Sequence, residues 1–332
     1  MSGPESGEDQ LIQRHFAPLA TYPGSFGLTD DAAALMPPEG RELVLTADMV
    51  VGGIHFFADD AADMIAKKAL RVNVSDLAAK GARPLGFLLT LALPPSVDET
   101  WLDLFARGLA SDAESYSCPL LGGDTTRAHG PLAISITALG SVPKGTMVRR
   151  AGAKPGDAVL VTGSIGDAAL GLRLRDAVSA ARHWKLDHQH QYQLIKRYLL
   201  PQPRLALAEP LRINASAAMD VSDGLAGDLR KLCAASGVSA EIDVARVPLS
   251  SAARAVIQAD PASLETALTG GDDYEILCTV SPAKLDDLLT AAAVAKVPLS
   301  AIGRIGAGGE PPRFIGGNGQ PMKFKRPSFS HF

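Results

Sequence analysis

The sequence predicts a mixed α/β (α+β) protein of two domains, and three observations lead there. The chain has 332 residues, 46% of them hydrophobic, which is enough for two cores. Short β-branched runs alternate irregularly with longer amphipathic segments of helical period. A polar, Gly/Pro-containing turn, "RRAGAKPGD" (149–157), follows one strand pattern and precedes another. It marks a boundary between domains 1–148 and 149–332.

Taken in order, the N-terminal "MSGPESGEDQLIQ" is acidic and polar, and fits neither a secretory signal nor an import peptide. "ELVLTADMVV" (42–51) reads as the first strand. "DAADMIAKKALRVNVSDLAAKGA" (60–82) is a helix of about six turns, stopped at Gly81 with Pro84 soon after. "LGFLLTLAL" (85–93) is a strand. "VDETWLDLFARGLASDAESY" (97–116) is a helix that sets Trp101, Leu104, Phe105 and Leu109 on one core-facing stripe. Strands follow at "LAISITALGSV" (132–142) and "AVLVTG" (158–163). "TGSIGDAALGLRL" (162–174) has the form of a strand–loop–helix phosphate cradle, though a plain helix start explains it equally well. The His-rich "ARHWKLDHQHQYQ" (181–193) reads as a solvated cap or link between helices rather than a metal tract. "SDGLAGDLRKLCAASG" (222–237) opens on an N-capping Ser-Asp pair and ends at Gly237, a helix-terminating glycine. "YEILCTV" (274–280) is a strand, and "GAGGEPPRFIGGNGQP" (306–321) supplies turns between short strands.

Composition removes several classes of function. The net charge is −4 with no long basic run, so no nucleic-acid partner is expected. The longest apolar stretch, "GFLLTLALPP", is too short to span a bilayer, so no membrane is expected either. Cys118, Cys233 and Cys278 are scattered in apolar context, as reduced core thiols of a cytoplasmic protein would be.

The informative residues are acids. "AAMDVSDGLAGDL" (217–229) carries Asp220, Asp223 and Asp228 beside an apolar run. Related settings recur at "GLTDDAAAL" (Asp30, Asp31), "LTADMVV" (Asp48), "VNVSDLAAKG" (Asp76), "LLGGDTTR" (Asp124) and "TGGDDYEI" (Asp272, Asp273). Each alone has a plain reading: Asp76 pairing with Lys80 one helical turn on, or Asp223 capping its helix. As a set they imply a cation, because burying carboxylates beside apolar strands costs several kcal/mol unless positive charge sits among them. Oxygen donors without a matching Cys or His set select a hard ion, Mg²⁺ or Mn²⁺, and the spacing does not fit a calcium EF-hand loop. "GGDTT" adds backbone that an anion can approach closely. The Walker A and H-R-D patterns are absent, so a nucleotide here would be handled on another fold.

Together and in this order, "VNVSDLAAKGARP", "LLGGDTTR", "RAGAKPGDAVLVTG", "MDVSDGLAGDL" and "TGGDDYEI" resemble thiamine-monophosphate kinase, an ATP-binding family of the PurM-like superfamily. The resemblance implies an N-terminal domain that pairs strands across a homodimer and a C-terminal α/β domain closing over the nucleotide. It implies transfer of the γ-phosphoryl of ATP to thiamine monophosphate, with several Mg²⁺ ions. By position, it makes Asp31, Thr46, Asp48, Asp76, Asp124, Asp220 and Asp223 metal ligands. Gly123, Asp124, Arg150 and Ser222 become ATP contacts, and His55 and Asp272 contacts to thiamine monophosphate. No general base is implied. Thr29 stands where the family has Gly, and Asp272 where it has Glu. Ala47 stands where it has Thr, so a metal contact there is either missing or was always the backbone carbonyl. An aromatic residue usually lies against the thiamine rings, and Phe324 and Phe329 both remain open for that place. Another PurM-like ATP-dependent enzyme, or a non-catalytic Mg-ATP sensor, is the alternative.

The reaction suits the acids. Two unit charges about 4 Å apart repel by about 4 kcal/mol at an effective dielectric of about 20, and two phosphate esters present several such pairs. A net-acidic protein brings them together only through bound cations. Catalysis is then mostly positioning and charge neutralisation.

Overall fold

A four-stranded and a six-stranded sheet organise the chain in a computed structural model that describes residues 7–329. The first sheet lies in a unit that runs to Leu77 and resumes over Ala82–Gly145. The second lies in a unit built from Ala78–Gly81 and the chain from Thr146 onward. The expected α/β class holds.

The first unit contains α1 (Gly7–Leu11), β1 (Arg41–Val51), α2 (Ala62–Ala79, continuing into the second unit), β2 (Arg83–Leu93), α3 (Glu99–Ser115), β3 (Leu120–Arg127) and β4 (Ala133–Pro143). The strand order is β1-β4-β2-β3, with β2 and β3 parallel and the other pairs antiparallel. Period-two alternation separates its faces. Val44, Val50, Phe87, Leu89, Leu91, Ile134 and Ile136 are buried, while Leu43, Leu45 and Met49 are exposed on the other side of β1. The inner face is tied to α2, whose Asn73 Oδ1 accepts from the Asp48 amide at 3.1 Å. Helix α3 lies hard against α2: a Cβ at Gly108 would meet the Asp63 Cα at 2.6 Å. The pair is fastened by Arg71, whose Nε donates to Asp112 Oδ2 at 2.6 Å and whose second nitrogen donates to Oδ1 at 3.0 Å.

The second unit contains β5 (Ala158–Thr162), α4 (Asp167–Asp176), α5 (Val178–His183), α6 (His188–Leu199), α7 (Ala208–Asn214), β6 (Ala215–Asp220), α8 (Leu225–Ser236) and β7 (Ser239–Asp243). They are followed by α9 (Ser251–Ala259), α10 (Ser263–Thr269), β8 (Ile276–Val280), α11 (Leu285–Val294), β9 (Leu299–Gly306) and β10 (Arg313–Ile315). Its sheet order is β10-β7-β9-β5-β8-β6. One face packs Val159, Val161, Met219 and Leu277 with Leu225, Leu229 and Leu232 of α8. The other packs Leu160, Ala218, Ile276 and Cys278 with Leu211 of α7 and Leu288 of α11. A third cluster joins α4, α6 and α9 through Leu170, Leu194 and Val256. Cys118, Cys233 and Cys278 are unpaired and buried, and burial pushes their thiols up to about 12, 11 and 12.

Three local expectations are corrected. The α3 stripe is Leu102, Phe105 and Leu109; Leu104 is 43% exposed, and Trp101 stacks on Phe105 at 5.0 Å. Helix α8 takes Gly224 as its N-cap in place of Ser222 or Asp223, although it does end at left-handed Gly237. The His-rich segment joins α5 to α6 with Asp187 as an N-cap, yet it buries Trp184 and Leu186 in the third cluster.

Breaking the α2–α3 pair should be costly, because Asp112 is buried. Arg71→Met should destabilise the protein by about 3 kcal/mol or more, measured by urea unfolding. A loss well under 1 kcal/mol would show that Asp112 finds another partner or a proton.

Candidate functional site

The acids of the first unit fall into two groups. Thr46 and Asp48 share the helix-facing side of β1, and Thr46 meets Asp76 of α2, whose Oδ2 accepts its hydroxyl at 2.5 Å. Lys80, the helical partner that spacing offers Asp76, donates instead to the Ala218 carbonyl at 2.8 Å. Asp31 and Asp124 form the second group. Both are exposed and line a chamber of about 740 Å³ with Leu88, Thr90, Gly123 and Leu139.

The sheet register keeps the groups apart. Asp48 is level with Ile136, Ile136 with Leu89, and Leu89 with Gly123. That row faces the helices. Met49, Ser135, Thr90 and Asp124 form the next row, on the open face. Asp48 and Asp124 thus sit three strand spacings apart, roughly 14 Å, on opposite faces. Gly123 answers to packing as well as to any ligand, since a Cβ there would meet the Leu89 carbonyl oxygen at 1.8 Å.

Other first-unit residues are fixed locally. His55 Nδ1 accepts the Val51 amide at 3.0 Å, so its neutral ring carries the proton on Nε2. Thr29 adopts φ −104°, and its hydroxyl donates to the Phe26 carbonyl at 2.7 Å. The left-handed positions of that turn are Phe26, Gly27 and Leu28, so the extra Cβ at Thr29 brings no strain.

In the second unit, Asp220 ends β6 and is 7% exposed. Its neighbour Asp223 is held from α8: the Asp223 amide donates to Asp228 Oδ2 at 2.9 Å, and the Lys231 ammonium bridges the Asp223 and Asp228 carboxylates. Burial raises the Asp228 carboxyl above its ordinary value, with Lys231 pulling the other way. Ser222 accepts the Asp272 amide through its carbonyl at 2.8 Å, which brings Ser222 and Asp272 together. Arg150 is exposed beside Lys80 and Arg149 around a hollow of about 350 Å³. Phe324 packs edge-on against Phe314 at 5.3 Å, whereas Phe329 is 45% exposed and donates its amide to the Asp223 carbonyl at 3.0 Å. Of the two aromatics, Phe329 is the one bonded to the acid loop.

Sequence reading named Asp273 among the acids but gave it no role, and did not single out Asp167 or Glu275. Asp273, 1% exposed, accepts from the Gly166 amide at 2.7 Å and the Ala168 amide at 3.3 Å. The helix start proposed as a phosphate cradle is therefore filled by the protein's own carboxylate. Burial pushes Asp273 well up, against the pull of those amides and of Arg197. Asp167 is raised for the same reason, against hydroxyls from Ser164 and Ser250. Glu275 is fully buried between Arg197 and Arg204 and takes the Thr162 hydroxyl at 2.5 Å.

Among the described residues, no group of three or more His, Cys, Asp or Glu side chains could hold an ion by itself. The donors present are hydroxyl and carboxylate oxygens, which suits Mg²⁺ retaining waters and phosphates rather than an all-protein cage.

Both units match the AIR synthase related protein family. That family's N-terminal domain model matches residues 29–142 and its C-terminal domain model residues 154–314. The chain is 41% identical over 329 residues to thiamine-monophosphate kinase of Salmonella typhimurium, covering 98% of each. It is 42% identical over 296 residues to the Caulobacter vibrioides enzyme, covering 88% of this chain and 82% of that one. The crystal structure of thiamine-monophosphate kinase from Stenotrophomonas maltophilia superposes with a TM-score of 0.79 at 40% identity, covering 89% of this chain and 91% of that one. A structure described as AaThiL complexed with AMPPCP and TMP superposes at 0.76 and 29% identity, covering 93% and 97%. The chain belongs to the thiamine-monophosphate kinase family of the PurM-like superfamily.

Two predictions follow from this geometry. Asp167 titrates higher folded than unfolded, so the stability it contributes falls as pH rises from about 4 through its folded value. Asp167→Asn should flatten that part of the pH–stability curve in urea melts, and an unchanged slope would mean that the carboxyl is not the source. Ala47 lies on the opposite face of β1 from Thr46 and Asp48 and is exposed. A side-chain oxygen there would point away from Asp76, which favours the backbone carbonyl as the contact. Mg²⁺ titrations of wild type and Ala47→Thr should superimpose, and a lowered Mg²⁺ requirement in the variant would reverse that assignment.

Proposed function

We propose that this protein moves the γ-phosphoryl group of ATP in line onto the phosphate of thiamine monophosphate, giving thiamine diphosphate and ADP. The observation that carries the reading is near end-to-end identity of 41% with thiamine-monophosphate kinases. A superposable relative described with AMPPCP and TMP supports the choice of substrates.

In this reading Asp31, Thr46, Asp48, Asp76, Asp124, Asp220 and Asp223 hold several Mg²⁺ ions, which when bound neutralise the phosphates. Gly123, Asp124, Arg150 and Ser222 contact ATP, and the apolar wall beside Asp31 and Asp124 gives its base a dry surface. His55 and Asp272 contact thiamine monophosphate. The bond of the Phe329 amide to the Asp223 carbonyl supports taking Phe329, rather than Phe324, as the aromatic against the rings. The attacking phosphate oxygen is already ionised, so positioning replaces a general base.

We also propose a homodimer formed through the first sheet. Leu45 at 61% and Met49 at 57% exposure lie on an edge strand, a surface that favours cover by a second copy. No helix of the described residues is long and apolar enough to cross a membrane. The buried free thiols support a cytoplasmic location.

Thiamine diphosphate should form only with ATP, Mg²⁺ and thiamine monophosphate together, and free thiamine should be a poor acceptor. ATP hydrolysis indifferent to the thiamine compound would sink the assignment in favour of a phosphohydrolase. Asp48→Asn, Asp76→Asn and Asp220→Asn should each lower kcat roughly 100-fold or more if about 3 kcal/mol of stabilisation is lost. Variants that unfold while their folded fraction keeps normal turnover would make these acids structural.

A further inference from the structure

The acids of "DDYE" (272–275) do different work from one another. Asp272 is half-buried, while Asp273 and Glu275 are sealed inside the second unit. The turn that separates them is held in an unusual backbone. Gly271 has φ 79°, Asp272 68° and Tyr274 50°. Left-handed conformations are costly for residues with a Cβ, and two of them in one turn persist only where the surroundings over-determine them.

Those surroundings can be named. Three backbone bonds of 2.8 Å lock the turn to the end of β6: Val221 to the Glu275 carbonyl, Tyr274 to the Val221 carbonyl, and Asp272 to the Ser222 carbonyl. Gly271 permits this approach, since a Cβ there would stand 2.3 Å from the Ser222 carbonyl oxygen. Beneath the turn, the Asp273 carboxylate grips the first amides of α4. Arg197 of α6 donates from one nitrogen to both the Asp273 carbonyl, at 3.2 Å, and the Glu275 carboxylate, at 2.8 Å. Arg204 completes the pair on Glu275. One guanidinium thus joins both buried acids, and the turn between them follows.

We propose that Asp273, Arg197 and Glu275 are positioning residues that hold the 271–274 turn and so set where Asp272 meets the substrate. The substrate clause rests on the thiamine monophosphate reading above. None of the three touches a reacting atom in this scheme. Their effect should appear in the affinity for the thiamine compound rather than in the phosphoryl-transfer step.

The test uses the full chain with Asp273→Asn, Arg197→Met and the milder Arg197→Lys. Hydrogen exchange is followed over residues 271–275, and steady-state kinetics are run with each substrate varied in turn. Exchange should quicken about tenfold or more in Asp273→Asn and Arg197→Met. KM for thiamine monophosphate should rise about tenfold, with KM for ATP and kcat within about threefold of wild type. Arg197→Lys, which keeps a cation at the junction, should recover part of the loss and remains informative if the harsher variants do not fold. A lower Tm with unchanged exchange or unchanged KM for thiamine monophosphate overturns the proposal. A wild type that makes no thiamine diphosphate removes the proposed function and the substrate clause with it. Exchange in that case still decides whether the network holds the turn.

Discussion

A carboxylate removed from water has to be answered by a donor, and most of what is specific in this chain follows from how each acid is answered. Asp112 has a bidentate guanidinium, Glu275 has two guanidiniums and a hydroxyl, and Asp273 has the open end of a helix. Asp228 is met by an ammonium from its own helix. The first three answers join segments far apart in sequence, so those acids act as rivets between elements as well as charges. Asp31 and Asp124 stand differently, exposed at the edge of a chamber where a ligand can reach them. These four buried acids hold the frame while Asp31 and Asp124 face solvent, and Lys231 joins the two roles at Asp223.

Strands and long helices were legible because their signal is local. Alternation placed β1, β2, β4 and β5 to within a residue or two, and Gly81 and Gly237 ended their helices where left-handed glycine is expected to. The failures also have a physical pattern. Leu104 and Leu102 differ by about 200° around a helix, and the amphipathic stripe of α3 is broad enough to admit either at its border. Glu275 reads as an ordinary strand residue because its partners, Arg197 and Arg204, lie 78 and 71 positions away. Asp273 could not be told from Asp272 by type or spacing, since the difference lies in one left-handed backbone step. The "GSIG" helix start looked ready for a phosphate because nothing local reveals that a carboxylate more than a hundred residues later fills it.

Much the same division holds for the candidate site. Its residue types were visible as repeated acids among small neighbours, and those motifs carried the family resemblance over most of the chain. Their grouping was not visible. That Thr46 meets Asp76, and that Asp48 and Asp124 occupy opposite faces of one sheet, depends on strand order and register. Strand order is a long-range property, settled by which edges pair after the local elements exist.

The three thiols also make the protein its own reporter. Cys118 lies in the first unit and Cys233 and Cys278 in the second, all sealed and held in the protonated form that alkylating reagents scarcely attack. Labelling in the native state is therefore gated by opening, and the sulfur modified identifies the half of the molecule that opened. Pulsed alkylation under mild denaturant would time the loosening of each unit separately, with no introduced probe.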